Sequence, residues 1–104
     1  MPLKNFKDSP IAIDLQEPSF AAEYLEDALG EDLQDFIIAL RNVADANGGI
    51  GKLSQLSELG RESLYKTLSQ DGGSKPYFST IIQILSSLGL KLTIEPIDEK
   101  SRAA

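Results

Sequence analysis

The most specific chemistry in this sequence is offered by Arg61, Glu62, Tyr65 and Lys66, within IGKLSQLSELGRESLYKTLS over residues 50–69. Arg61 has the fork geometry to grip guanine O6 and N7. Glu62 can accept from cytosine N4, and Lys66, one turn on, reaches a base edge or a phosphate. Ser63 shares that first turn, while Lys52, Gln55, Ser69 and Tyr77 are lesser phosphate candidates. Ser74 and Lys75 precede the start of another helix, where free backbone N–H groups attract phosphate. The plainer reading of Arg61 and Glu62 is a solvated first turn, with Tyr65 half-buried in packing. The 104 residues contain no cysteine and no histidine, which excludes disulfides, thiolate metal sites and the commonest general base. The sixteen acids fall in no recognisable catalytic constellation, so neither an enzyme nor a cofactor is expected. Gly48, Gly49, Gly51, Gly72 and Gly73 follow no strand and match no phosphate-loop pattern, so they read as turn glycines.

For those side chains to reach DNA, two short helices must cross with a turn of three to four residues between them. Leu53 and Leu56 then supply the inside of the first helix, Leu59 the apolar turn residue, and Leu64 with Leu68 the inside of the second. Gly60 lies at the cap, and Arg61, Glu62, Tyr65 and Lys66 point away from the leucines. Around this pair, Ile11, Ile13 and Leu15 alternate with polar or small residues as in a short strand. Ser19 is a candidate cap for a helix with Phe20, Tyr24, Leu25 and Ala28 on one face, stopped by Gly30. A longer helix starts near Asp32, with Leu33, Phe36, Ile37, Leu40, Val43 and Ala44 as its stripe, and ends at Asn47-Gly48-Gly49. Pro76 suits the first turn of a closing helix with Phe78, Ile81, Ile82, Leu85 and Leu88 inside, ended by Gly89. Leu90, Leu92 and Ile94 alternate again as a second strand, stopped by Pro96.

The expected fold is mainly α: about five helices in a helix-turn-helix bundle with a short β-strand near each terminus. An N-terminal arm with the first strand takes 1–18, the helix-turn-helix domain 19–96 and a flexible tail 97–104. Within the domain, acidic lead-in helices occupy 19–47, the helix-turn-helix 50–69, the closing helix 76–88 and the strand 90–95. Neither strand has a neighbour in sequence for a hairpin. Each must pair with the other or with another chain.

Charge divides the chain. The total is −6, which taken whole argues against nucleic acid. Residues 1–40 hold two lysines against nine acids, whereas residues 41–80 hold five bases against four acids. The front therefore suits a basic protein partner, with Glu23, Glu26, Asp27, Asp32 and Asp35 as candidate contacts; a solvated acidic face is the plainer alternative. No apolar run approaches the roughly 20 residues of a membrane span, and no signal-peptide core opens the chain, so a cytoplasmic protein is expected.

FIIALRNVADANGGIGKLSQLSELGRESLYKTLS, followed by PYFSTIIQILSSLGLKLTIEP, resembles the antidote (antitoxin) family of bacterial addiction modules, in the wider lambda-repressor-like helix-turn-helix group. The most specific shared strings are ALR-x-V-A, RESLYK-x-LS and FST followed by LGL-K-L, and AEYLEDAL resembles the family's lead-in helix. The sequence departs from related motifs at Ser54, where alanine is usual, at Glu58, where glycine is usual, and at Gly60, where serine is usual. Ser54 fits if its hydroxyl bonds back to the preceding turn. Glu58 must take a positive φ, at about 1 kcal/mol, or a different turn.

The resemblance implies a small cognate toxin encoded alongside, neutralised by direct binding, and repression of the shared operon through double-stranded operator DNA. A two-fold dimer on a palindrome is the expected DNA-binding form. Leu90–Glu95 is a candidate for pairing with a partner strand, with Ile11–Leu15 covering the edge. The competing reading is an interaction module of helix-turn-helix descent that does not bind DNA.

Overall fold

A computed structural model describes residues 10–69 and 76–98. It contains six helices in the order α1 (Pro10–Asp14), α2 (Pro18–Leu29), α3 (Leu33–Ala46), α4 (Gly49–Ser57), α5 (Arg61–Thr67) and α6 (Phe78–Ser87). The core forms around α3, against which α1, α2 and α4 pack; α4 in turn carries α5 and α6. Phe36, Ile37, Leu40, Val43 and Ala44 of the expected stripe are buried, joined by Ala39 and Ala46, whereas Leu33 stays exposed. Asp32 caps α3: its Oδ1 accepts from the Asp35 N–H at 2.8 Å, satisfying a donor the helix leaves open.

The mainly α class holds, but no strand occurs among the described residues, and both expected strands are corrected. Residues 11–15 are helical because Ala12 and Leu15, three apart, face the core at 1% exposure each, while Ile13 is 70% exposed. Pro10 opens that helix, where its missing N–H costs nothing. The Asn47 amide ties α1 to α3, donating to the carbonyls of Leu15 (3.1 Å) and Val43 (2.8 Å). Residues 90–98 form no regular secondary structure and pair with no strand. Strand pairing of residues 11–15 with residues 90–95 within one chain is thereby excluded.

Other boundaries and faces shift by smaller steps. α2 begins at Pro18 after an N-cap at Glu17, so Ser19 lies inside the helix. Ala21 and Leu25 are its buried residues, and Phe20 is exposed. Pro76 precedes the closing helix, which starts at Phe78 with Tyr77 as N-cap. Its buried face is Ile81, Ile84 and Leu85, leaving Phe78 and Ile82 outside. Glycine is required between α3 and α4: Gly48 has φ 109°, and a Cβ there would sit 2.8 Å from the Lys52 Cβ.

Candidate functional site

α4 and α5 are joined by the three residues Glu58, Leu59 and Gly60. Ile50, Leu53 and Ser57 are the buried face of α4; Leu56, expected inside, is 53% exposed, because the face runs at spacings of three and four from Ile50. Glu58 takes the left-handed conformation itself, with φ 63° and ψ 11°, the first of the two options open to it. The turn is held by side chains on both sides. The Ser54 hydroxyl donates to the Leu59 carbonyl at 2.8 Å, so it bonds forward across the turn and not back into its own helix. The Leu59 N–H donates to Ser57 Oγ at 3.2 Å, and the Gln83 amide of α6 donates to the Ser57 carbonyl at 2.7 Å. Leu59 packs against the core as the apolar turn residue. Gly60 is the extended N-cap of α5, and its carbonyl accepts the first helical bond, from the Leu64 N–H, at 3.0 Å.

Leu64 and Leu68 are fully buried, and Thr67 is buried beside them. Since a helix repeats about every 3.6 residues, burying that face turns Arg61, Glu62, Tyr65 and Lys66 outward. All four are exposed, as is Ser63. Lys52 and Gln55 are exposed on α4, Tyr77 is exposed before α6, and Ser69 is half-buried after α5. Ser74 and Lys75 lie outside the described residues. The outer face of α5 therefore presents a guanidinium, a carboxylate, a hydroxyl, a phenol and an ammonium to solvent on one rigid turn-anchored element.

Two further residues shape this face. The Arg41 guanidinium carbon lies 5.8 Å from the centroid of the Tyr65 ring, and its Nη1 donates to the Leu68 carbonyl at 3.5 Å. Arg41 is itself paired with Asp45 one turn along α3, at 3.4 Å. It thus caps the end of α5 and orients the tyrosine. Its i, i+4 acid was the signal in the sequence that it stays close to α3. Gly51 is the second: a Cβ there would lie 3.1 Å from Arg61 Nη2, so its bare backbone gives the guanidinium room over α4.

The acidic candidates lie elsewhere. Glu23, Glu26 and Asp27 are exposed along α2, which packs on α3. Asp32 and Asp35 are exposed too, but they are engaged in capping and in the first turn of α3, where acids suit the positive end of the helix dipole. Among the described residues no group of three or more His, Cys, Asp or Glu could hold a metal ion. No helix among them is long and apolar enough to cross a membrane.

Neither the curated proteins nor the solved structures include a match to this chain. The sequence profile of the probable addiction module antidote protein family matches residues 4–96, which takes in the six helices of the described residues and the segment after α6 to Pro96. Antidotes of addiction modules are not enzymes. With most of its length matched, the chain belongs to the family of probable addiction module antidote proteins.

Proposed function

We propose that this antitoxin acts in the cytoplasm, neutralises a small basic toxin encoded beside it, and represses its own operon as a two-fold dimer that docks α5 in the major groove. The observation that supports DNA reading is the α5 surface: Arg61, Glu62, Tyr65 and Lys66 exposed over the fully buried Leu64 and Leu68, on a helix joined to α4 by three residues. That is the arrangement a helix-turn-helix uses to bring the start of its second helix to base edges. The net charge of −6 does not oppose it, because affinity depends on local phosphate neutralisation and the acids are concentrated ahead of α4. Those acids supply the second activity: Glu23, Glu26 and Asp27 on α2 complement a basic partner.

One experiment separates the two activities. Arg61→Ala with Lys66→Ala should weaken binding to the operon's upstream DNA by about 100-fold or more while leaving toxin binding intact. Reversal of Glu23, Glu26 and Asp27 to lysine should do the opposite. Point changes are needed because Ala12, Leu15, Ala21 and Leu25 belong to the core, so removing the front segment would unfold the rest. Unchanged DNA affinity in the double alanine variant would leave an interaction module that does not bind DNA.

A further inference from the structure

The apolar stripes of two helices run past the core. Leu33 opens α3 and Phe78 opens α6, and both stay exposed. Leu29, the last residue of α2, joins them. Each is half-exposed or more, and all three line one cleft of about 170 Å³ whose described walls are apolar throughout. A second cleft of about 350 Å³ adjoins it, sharing Leu29, Phe36 and Leu92. The wall formed by residues 90–93 leaves α6 in a fixed direction. The Leu90 N–H donates to the Leu85 carbonyl at 2.9 Å and the Gly89 N–H to the Ser86 carbonyl at 3.0 Å, with Gly89 at φ 80°. This is the Schellman arrangement, which stops the helix and turns the chain, so that Leu90 packs on the core and Leu92 lines the groove. Single leucines on a surface need no explanation; Leu29, Leu33, Phe78 and Leu92 around one cleft mark a protein interface. The rim is acidic. Glu26 and Glu95 line the larger cleft with Lys91, and Glu31 and Asp32 are exposed between Leu29 and Leu33.

We propose that this groove receives a row of apolar side chains from the cognate toxin, on a segment whose basic residues meet Glu26, Glu31, Asp32 and Glu95. The rim decides among occupants. A two-fold contact sets the same patch against itself, so a second copy would bring the acids of both chains together. Such a juxtaposition of like charges disfavours pairing. A basic segment gains twice: its apolar residues leave water, and its charges find opposite ones. Apolar anchors seated in pockets carry most of the affinity of a protein interface, whereas charges around them set partner choice and the speed of encounter. The groove supplies the first and the acids at the end of α2 the second. Groove docking rests on the toxin-neutralising reading above and gives it an apolar anchor.

The absence of cysteine from the chain permits a footprint. Leu33→Cys puts a thiol in the groove; Leu56→Cys puts one on α4, at a similarly exposed leucine outside both clefts. With the purified product of the adjacent gene bound, maleimide alkylation of Leu33→Cys should slow by about tenfold or more, and that of Leu56→Cys by less than about twofold. Leu29→Gln with Leu33→Gln should weaken binding of that product by about 100-fold, whereas Leu29→Met with Leu33→Met should keep it within about threefold. Both positions are half-exposed, so the fold is retained, read as an unchanged urea midpoint. If Leu33→Cys reacts as fast with the product bound as without it, the groove is not the toxin's seat, and neutralisation stands on the acids of α2 alone. Equal losses from the methionine and glutamine pairs overturn the apolar anchor as well. Protection of Leu33→Cys that rises with protein concentration in the absence of toxin assigns the groove to a second copy and overturns its assignment to toxin. A product that does not bind the native chain overturns both the neutralising reading and the groove's part in it.

Discussion

The two ends of the described chain carry nearly the same alternation of apolar residues and adopt different backbones. Ile11-Ala12-Ile13-Asp14 is helical on α3 and runs into the buried Leu15, and Leu90-Lys91-Leu92-Thr93-Ile94-Glu95 is an arm without regular secondary structure. What separates them is the residues between the apolar ones. Ala12 is small enough to be buried, so Ala12 and Leu15 make a helical face, with Ile11 partly buried beside them. Lys91 and Thr93 offer no second apolar face at helical spacing. Gly89 has also just ended a helix and set the exit direction. Alternation alone does not choose a backbone; the alternate residue and the surface available to it do.

The sharpest way to break that comparison is to charge one position on each face of the first segment. A strand would turn Ala12 to solvent and Ile13 inward. The helix does the reverse, with Ala12 buried and Ile13 exposed. Ala12→Lys should therefore cost about 3 kcal/mol or more, through overpacking and burial of an amine, whereas Ile13→Lys should stay within about 0.5 kcal/mol. Urea unfolding of the two variants reads the difference directly. Equal or inverted costs would return residues 11–15 to a strand.

A smaller effect compares the leucines of the two segments. Leu15 is fully buried, so Leu15→Ala should cost about 2–4 kcal/mol. Leu92 is 40% exposed over a cleft, and Leu92→Ala should cost less than about 1 kcal/mol at protein concentrations low enough to keep the chain monomeric. If Leu92→Ala proved as damaging as Leu15→Ala in dilute solution, the arm would be an integral part of the monomer's core and not a surface for a partner.

The same logic says what could be read from the residues alone. The stripe of α3 spans several turns, so its period is unambiguous, and its Phe36-to-Ala44 portion is buried. Leu64 and Leu68 were equally legible, because a pair four apart on a seven-residue helix leaves one way to turn inward. Short helices with more leucines than core positions were not. In α4, Leu56 competes with Ser57 for the inside, and the hydroxyl wins because Ser57 receives the Leu59 N–H there while its carbonyl meets Gln83. Arg41 was missed because its partner Tyr65 is 24 residues away, and Gly51 because only the folded chain brings Arg61 over it.

The smallest effect tests the turn that sets the pose of α5. Glu58 has φ 63°, a conformation that costs a residue with a Cβ roughly 1–2 kcal/mol, whereas glycine enters it freely. Glycine also loses more backbone freedom on folding, which returns about 0.5–1 kcal/mol of that gain. Glu58→Gly should thus stabilise the chain by about 0.5–1 kcal/mol, seen as a rise of a few degrees in Tm. Glu58→Ala, which keeps the Cβ, should give no such rise and separates backbone relief from loss of an exposed charge. The terminal segments show context selecting between two backbones that a pattern allows. At Glu58 context holds a residue in a backbone its own chemistry resists, through the Ser54–Leu59, Ser57–Leu59 and Gln83–Ser57 bonds on either side. If Glu58→Gly raises Tm and Glu58→Ala does not, those three bonds are holding a strained turn. If the two behave alike, the turn relaxes in solution, and the angle at which α5 leaves α4 is not fixed by it.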